Sequence, residues 1–200
     1  MTGREMFMLR LRLRDAGYTC ERYRYPMIGS GLRDNLGRLK RYIERYVADS
    51  PVDQVDVIGH SLGGVLALHL LRRHPDLPVG KVICLGSPLA DSSAARRTME
   101  FALGKQLVGR TLVDAVINEP VGAWDGQQPV GCIAGSKPLG FGHRITGIEP
   151  PHDGMVTVAE TQVQGLADHR TLPVSHTGLV LDKHAADLCV NFLNNGKFDA

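Results

Sequence analysis

The sequence has few of the features that are typical of metal-binding, nucleic-acid-binding or membrane-spanning proteins. Its four cysteines form no Cys-x-x-Cys pair and have no histidine partner at metal-ligand spacing, which argues against a metal site. The net charge is only +2, which gives no reason to expect nucleic acid as a partner. No apolar run approaches the roughly 18 residues needed to cross a membrane, and no signal-peptide segment opens the chain. We therefore expect a soluble, reduced, cytoplasmic protein without an integral membrane segment.

The order of apolar patterns predicts one α/β domain over residues 1–200. Strands are predicted at 18–25, 54–58, 81–85, 130–134 and 171–174, and helices at 5–16, 32–47, 64–73, 92–118 and 183–193. Strands separated by helices of this length are typical of right-handed crossovers. The predicted fold is therefore a mostly parallel sheet flanked by helices. Cys84 and Cys132 lie inside apolar runs and are expected to be small core residues.

Residues 5–16 fit two patterns. Leucine and arginine alternate strictly over part of this segment, which favours a strand. Over the whole segment, one set of apolar residues is spaced by three, four and three positions, which is the spacing of a helix face. Gly17 follows where a helix C-cap glycine belongs. We favour the helix.

The motif GHSLGG follows a β-branched strand and precedes an apolar helix. Gly59 and Gly63 are expected to be necessary because side chains there would crowd a sharp turn, and Gly64 because it lets helix and strand pack closely. A structural glycine turn would fit the five-residue pattern alone, but its placement between strand and helix favours Ser61 as a presented nucleophile. The Leu62 N–H would then donate to a developing oxyanion, helped by the helix dipole.

A serine nucleophile needs a base, and the base needs an orienting acid. His176 follows the last predicted strand in a turn and is the best-placed base, whereas His169 is expected in a loop at the wrong end of that strand. The preferred acid is Asp153, in an Asp-Gly turn before an apolar stretch, although an aspartate there is also explained as a turn cap. Asp168 is too near the final strand, and Asp125 precedes a strand.

Four segments together resemble the serine α/β-hydrolases, most closely compact lipase-like members, over nearly the whole chain. They are GHSLGG, LGSPLADS at 85–92, HDGMVTVAET at 152–161 and LPVSHTGLV at 172–180. The resemblance implies hydrolysis of a small-molecule ester through an acyl-enzyme. It implies Ser61 as nucleophile, His176 as general acid-base and Asp153 as its orienting carboxylate, with no metal or organic cofactor.

The chain departs from the family's pattern near its first helix. These hydrolases carry a central strand ending in His-Gly ahead of that helix, and the following loop supplies a second oxyanion N–H. No such strand precedes residues 5–16 here. In the family's sheet it lies between the strand predicted at 18–25 and the strand leading to Ser61. We therefore expect a gap in the middle of the sheet.

Two alternatives stay open at this point. The gap favours a non-catalytic, hydrolase-like protein that binds a ligand or partner through the same cleft. Residues 98–121, which include several large apolar side chains, fit either a cap over the pocket or ordinary helix packing.

Overall fold

The computed structural model of the protein describes residues 5–26, 29–93, 109–139 and 149–199. The helices in these ranges are α1 (Phe7–Asp15), α2 (Leu32–Ala48), α3 (Leu62–Arg73), α4 (Arg110–Leu112, continued by a π-helical turn at Val113–Asn118), α5 (Val158–Thr161), α6 (Gly178–Leu181) and α7 (Lys183–Asn195). The strands are β1 (Val55–His60), β2 (Val79–Leu85), β3 (Val130–Gly135) and β4 (Asp168–Leu172).

The four described strands form one parallel sheet in the order β1-β2-β3-β4. Each strand is followed by a helix before the next begins, so that the carboxyl ends of all four strands lie at the same edge. This arrangement confirms the predicted α/β architecture. It also brings the loops after the strands together, which is where parallel sheets carry their reactive groups.

Apolar side chains cover both faces of the sheet. One core packs α2 and α3 against the sheet, and the other packs α1, α6 and α7 against the opposite face. α2 buries one leucine-rich stripe, whereas α3 is buried nearly all round, as its continuous apolar sequence predicts. Cys84 and Cys132 are fully buried free thiols opposite one another on β2 and β3, which confirms them as core residues.

The helix predicted at 5–16 is confirmed as α1, and Gly17 follows it with a φ of 94°. The prediction of a strand at 18–25 is wrong, because the described residues of this segment pair with no strand. Between the segment and β1 lies a cavity of about 510 Å³ that both of them line. The cavity separates the segment from β1, but the expected gap in the middle of the sheet is wrong, because the segment is not a strand and β1 is the edge of the four described strands. The cavity leaves the strand-like segment without a neighbour to supply ladder hydrogen bonds.

The last strand begins earlier than predicted. β4 spans Asp168–Leu172, so His169 lies inside the strand and not in a loop before it. Its position is set by pairing with β3, where His169 stands opposite Cys132. The start of β4 was not predicted because its residues are polar and do not form an apolar run. Polar residues are tolerated there because β4 lies at the edge of the described sheet, where side chains keep access to water.

The segment proposed as a cap is described only in part, since residues 98–108 lie outside the described ranges. From Gly109 onwards it folds as α4 and the π-helical turn, and Ala115 and Val116 are fully buried against the α2–α3 face. This described part therefore packs as core. No helix in the described ranges is both long enough and apolar enough to span a membrane.

Candidate active site

Ser61 stands on a strained turn between β1 and α3. It has a φ of 55°, and no other described non-glycine residue has a positive φ. A residue in such a region costs about 1–3 kcal/mol, which the surroundings must offset. The Ser61 N–H donates to Leu85 O over 2.8 Å, and its carbonyl accepts from the Gly64 N–H over 3.2 Å. Both backbone groups of the serine are therefore fixed by neighbouring elements.

The glycines of the turn differ in whether a side chain would fit in their place. A Cβ on Gly59 would collide with the backbone of Gly63 and Gly64, and one on Gly64 would lie 2.9 Å from Cys84 Sγ. No atom lies within 4 Å of the place where a Cβ on Gly63 would stand. The predictions for Gly59 and Gly64 are confirmed, and the prediction for Gly63 is wrong because its Cβ direction is open.

The change Gly59→Ala is expected to destabilise the protein by about 3 kcal/mol or more, because the new methyl group meets backbone atoms that cannot move aside. The matched change Gly63→Ala is expected to leave stability unchanged or raised by up to about 1 kcal/mol, since alanine is the better helix former. Urea denaturation of both variants measures the difference. Equal destabilisation by the two changes would contradict this account of the turn.

Asp153 and His176 come into contact above the carboxyl ends of the strands. The His176 Nδ1–H donates to Asp153 Oδ2 over 2.7 Å, and the His176 backbone N–H donates to Asp153 O over 2.9 Å. Only 1% of Asp153 is exposed, whereas the His176 side chain keeps 13% of its surface open. An imidazole held this way at Nδ1 leaves Nε2 as a proton acceptor.

The second oxygen of the same carboxylate is also fixed. Asp153 Oδ1 accepts the backbone N–H groups of Met155 and Val156, each over 2.8 Å. These bonds form the turn that sequence reasoning offered as the alternative explanation for Asp153. The structure shows both contacts at once, with one carboxylate oxygen in the turn and the other on His176.

Two further glycines make room for this pair, and sequence reasoning missed them. A Cβ on Gly86, just after β2, would lie 3.1 Å from both Asp153 Oδ2 and His176 Nδ1. One on Gly135, the last residue of β3, would lie 2.7 Å from Asp153 Cβ. The available signal was a Gly-Ser pair at the carboxyl end of each strand, directly after β2 in LGS and beginning at the last residue of β3 in AGS.

The other candidate residues lie elsewhere. His169 Nε2 is 2.9 Å from Thr161 Oγ1, Asp168 accepts the Phe198 N–H over 2.9 Å, and Asp125 is an exposed partner of an arginine. Leu62 is the first residue of α3, so its N–H has no helical carbonyl one turn earlier and stays available for another acceptor.

His60, which sequence reasoning had assigned only to the turn, also contacts His176. Its Nε2–H donates to the His176 carbonyl oxygen over 3.0 Å, and the two rings have centroids 4.6 Å apart. Burial, reinforced by the neighbouring His176, lowers the pKa of His60 to about 4. No sequence signal distinguishes this histidine beyond its place before Ser61.

Because the pKa of His60 is lower in the folded protein than its usual value of about 6.5, acid favours the unfolded chain. Between pH 7.5 and pH 5 this group alone is expected to cost about 2 kcal/mol of stability. A His60→Gln variant should lose about 2 kcal/mol less over that range, measured by urea denaturation. Exposed His184→Gln should behave as wild type. Equal acid sensitivity of His60→Gln and wild type would contradict the assignment.

Comparison with known proteins places this arrangement in a family. A model of the α/β hydrolase fold family matches residues 18–126, just over half of the chain. A comparison with curated proteins finds no match.

Three solved structures illustrate the structural likeness. The mature lipase BlEst2 of Bacillus licheniformis has a TM-score of 0.63 at 16% identity, covering 84% of this chain and 75% of that one. The phospholipase PlaB of Legionella pneumophila, in complex with thio-NAD, has 0.66 at 14%, covering 98% of this chain but only 53% of its own. The mouse α/beta hydrolase domain-containing protein 10 has 0.59 at 14%, covering 98% and 84%. With the sheet, the turn at Ser61 and the family match in agreement, the chain belongs to the α/β hydrolase fold family.

Proposed function

We propose that the protein is a serine hydrolase that cleaves carboxylic esters through an acyl-enzyme. The observation that carries this proposal is the buried Asp153 carboxylate, 2.7 Å from His176 Nδ1, beside the strained turn that holds Ser61. Ser61 is the nucleophile, His176 the general acid-base and Asp153 its orienting carboxylate.

In the first half-reaction, His176 Nε2 takes the hydroxyl proton of Ser61 while Oγ attacks the ester carbonyl carbon. The Leu62 N–H donates to the oxyanion that forms. The resulting imidazolium then gives its proton to the leaving alcohol as the carbon–oxygen bond breaks, which leaves Ser61 acylated. Water repeats the sequence and releases the acid, so that the reaction needs no group beyond these residues and water.

Asp153 remains ionised throughout this sequence. Its carboxylate stabilises the positive charge that appears on His176 and keeps the proton on Nδ1. The two backbone N–H groups on Oδ1 hold the carboxylate in place during the reaction.

The neighbours' descriptions as a lipase and a phospholipase favour acyl esters as the substrate class. The experiment is hydrolysis of p-nitrophenyl acetate, butyrate and octanoate by wild type and by Ser61→Ala. Wild type should release nitrophenol catalytically, and the variant should not exceed the buffer rate.

The open cavity beside β1 favours a second candidate, a non-catalytic protein that binds a ligand or partner. Catalytic nitrophenol release that depends on Ser61 excludes this candidate. A folded wild type that hydrolyses none of the three esters supports it.

A further inference from the structure

His60 and Asp153 both form hydrogen bonds with the backbone of His176. The backbone N–H of His176 donates to Asp153 O, while its carbonyl accepts the His60 Nε2–H over 3.0 Å. The His60 and His176 rings are tilted by 43° at a centroid distance of 4.6 Å. His60 is also the residue before Ser61. It therefore joins the nucleophile's strand directly to the backbone of the proposed base.

The hydrogen bond defines the state of the His60 ring. A carbonyl oxygen only accepts, so Nε2 carries the proton and Nδ1 is bare. That Nδ1 is buried and has no hydrogen-bond partner among the described residues, and only 8% of His60 is exposed. A bare buried acceptor is unfavourable. An apolar ring would avoid that cost, which indicates that the histidine serves through its Nε2–H.

The charged and titratable surroundings of His60 come from several elements. His176 and Asp153 lie on the active-site loops and act on it electrostatically. The cavity that His60 borders is also lined by the charged residues Glu5, Arg10, Glu21, Arg22 and Asp56. The ring nevertheless remains neutral at physiological pH, because burial is the largest influence on it.

We propose that His60 is a positioning residue that acts through the His176 backbone, holding the imidazole in line with Ser61 without adding charge beside it. The inference rests on the proposed function of His176. A neutral neighbour matters because His176 becomes positively charged during each half-reaction, and a second cation beside it would oppose that step. An amide can replace the donor, whereas a phenyl ring cannot.

The first test compares kcat and KM of His60→Phe and His60→Gln on p-nitrophenyl butyrate. His60→Phe should lower kcat by about 10- to 100-fold with KM within about twofold, because a displaced base weakens the chemical step and not substrate binding. His60→Gln should retain kcat within about threefold, since its side-chain amide can donate to the same carbonyl. His184→Phe, on the exposed surface of α7, should match wild type. Urea denaturation establishes that each variant is folded.

The second test does not depend on turnover. In NMR spectra of the folded proteins, the His176 Nδ1–H held by Asp153 should be observed in wild type and His60→Gln, and should broaden in His60→Phe. If wild type hydrolyses no ester but this pattern holds, the proposed function fails and the positioning role stands. Unchanged kcat and an unchanged His176 signal in folded His60→Phe would overturn the inference. Equal impairment of His60→Phe and His60→Gln would do so as well.

Discussion

Replacing His176 by alanine is expected to lower kcat on p-nitrophenyl esters by more than about a thousandfold. The serine hydroxyl is a poor nucleophile at neutral pH, and no reaction of Ser61 proceeds quickly without a group to take its proton. His176 is held at Nδ1 by Asp153, and in the proposed mechanism its Nε2 is both the base and the acid that protonates the leaving group, so the change removes both.

The controls are the other histidines. His184→Ala changes an exposed residue of α7 and should leave kcat unchanged. His169→Ala removes the contact between β4 and Thr161 of α5, and it should change kcat little, although it is expected to lower stability. If His169→Ala were inactive while His176→Ala kept its activity, the base would be misassigned.

The change Asp153→Asn is expected to lower kcat by about 10³- to 10⁴-fold while the fold stays intact. The structure dictates how the new amide must lie. Its oxygen has to face the N–H groups of Met155 and Val156, which need an acceptor, and its NH2 group therefore faces His176. The amide then donates to Nδ1, so the imidazole proton moves to Nε2, which can no longer accept a proton from Ser61.

The matched control is Asp125→Asn, an isosteric change at an exposed carboxylate, and it should keep wild-type kcat. The same NMR signal reports the tautomer, because the Nδ1–H resonance of His176 should disappear in Asp153→Asn. Full activity of this variant would mean that the orienting acid lies elsewhere.

Much of the fold was predictable because its patterns are strong and local. The leucine stripe of α2, the all-round apolar sequence of α3 and the buried runs of β2 and β3 each determine their own element. That residues 18–25 and β1 do not pair directly was also predictable, from the family resemblance.

The errors share a different cause, which is that strand formation depends on neighbours. The tyrosine-rich segment at 18–25 has the composition of a strand but lies beside a cavity, and β4 begins at polar residues because its partner β3 sets the register. The same holds at the site. Its glycine requirements at Gly86 and Gly135, and the contact from His60, arise between segments far apart in the sequence.

The central claim is that Ser61 is an activated nucleophile, and labelling with a fluorophosphonate probe tests it most directly. Wild type should be labelled at one site, mapped to Ser61 by peptide mass spectrometry, and Ser50→Ala should label equally. Ser61→Ala should take up no probe, and His176→Ala should label far more slowly, because the attacking oxygen has lost its base. Full labelling of folded Ser61→Ala, or no labelling of folded wild type, would contradict the claim.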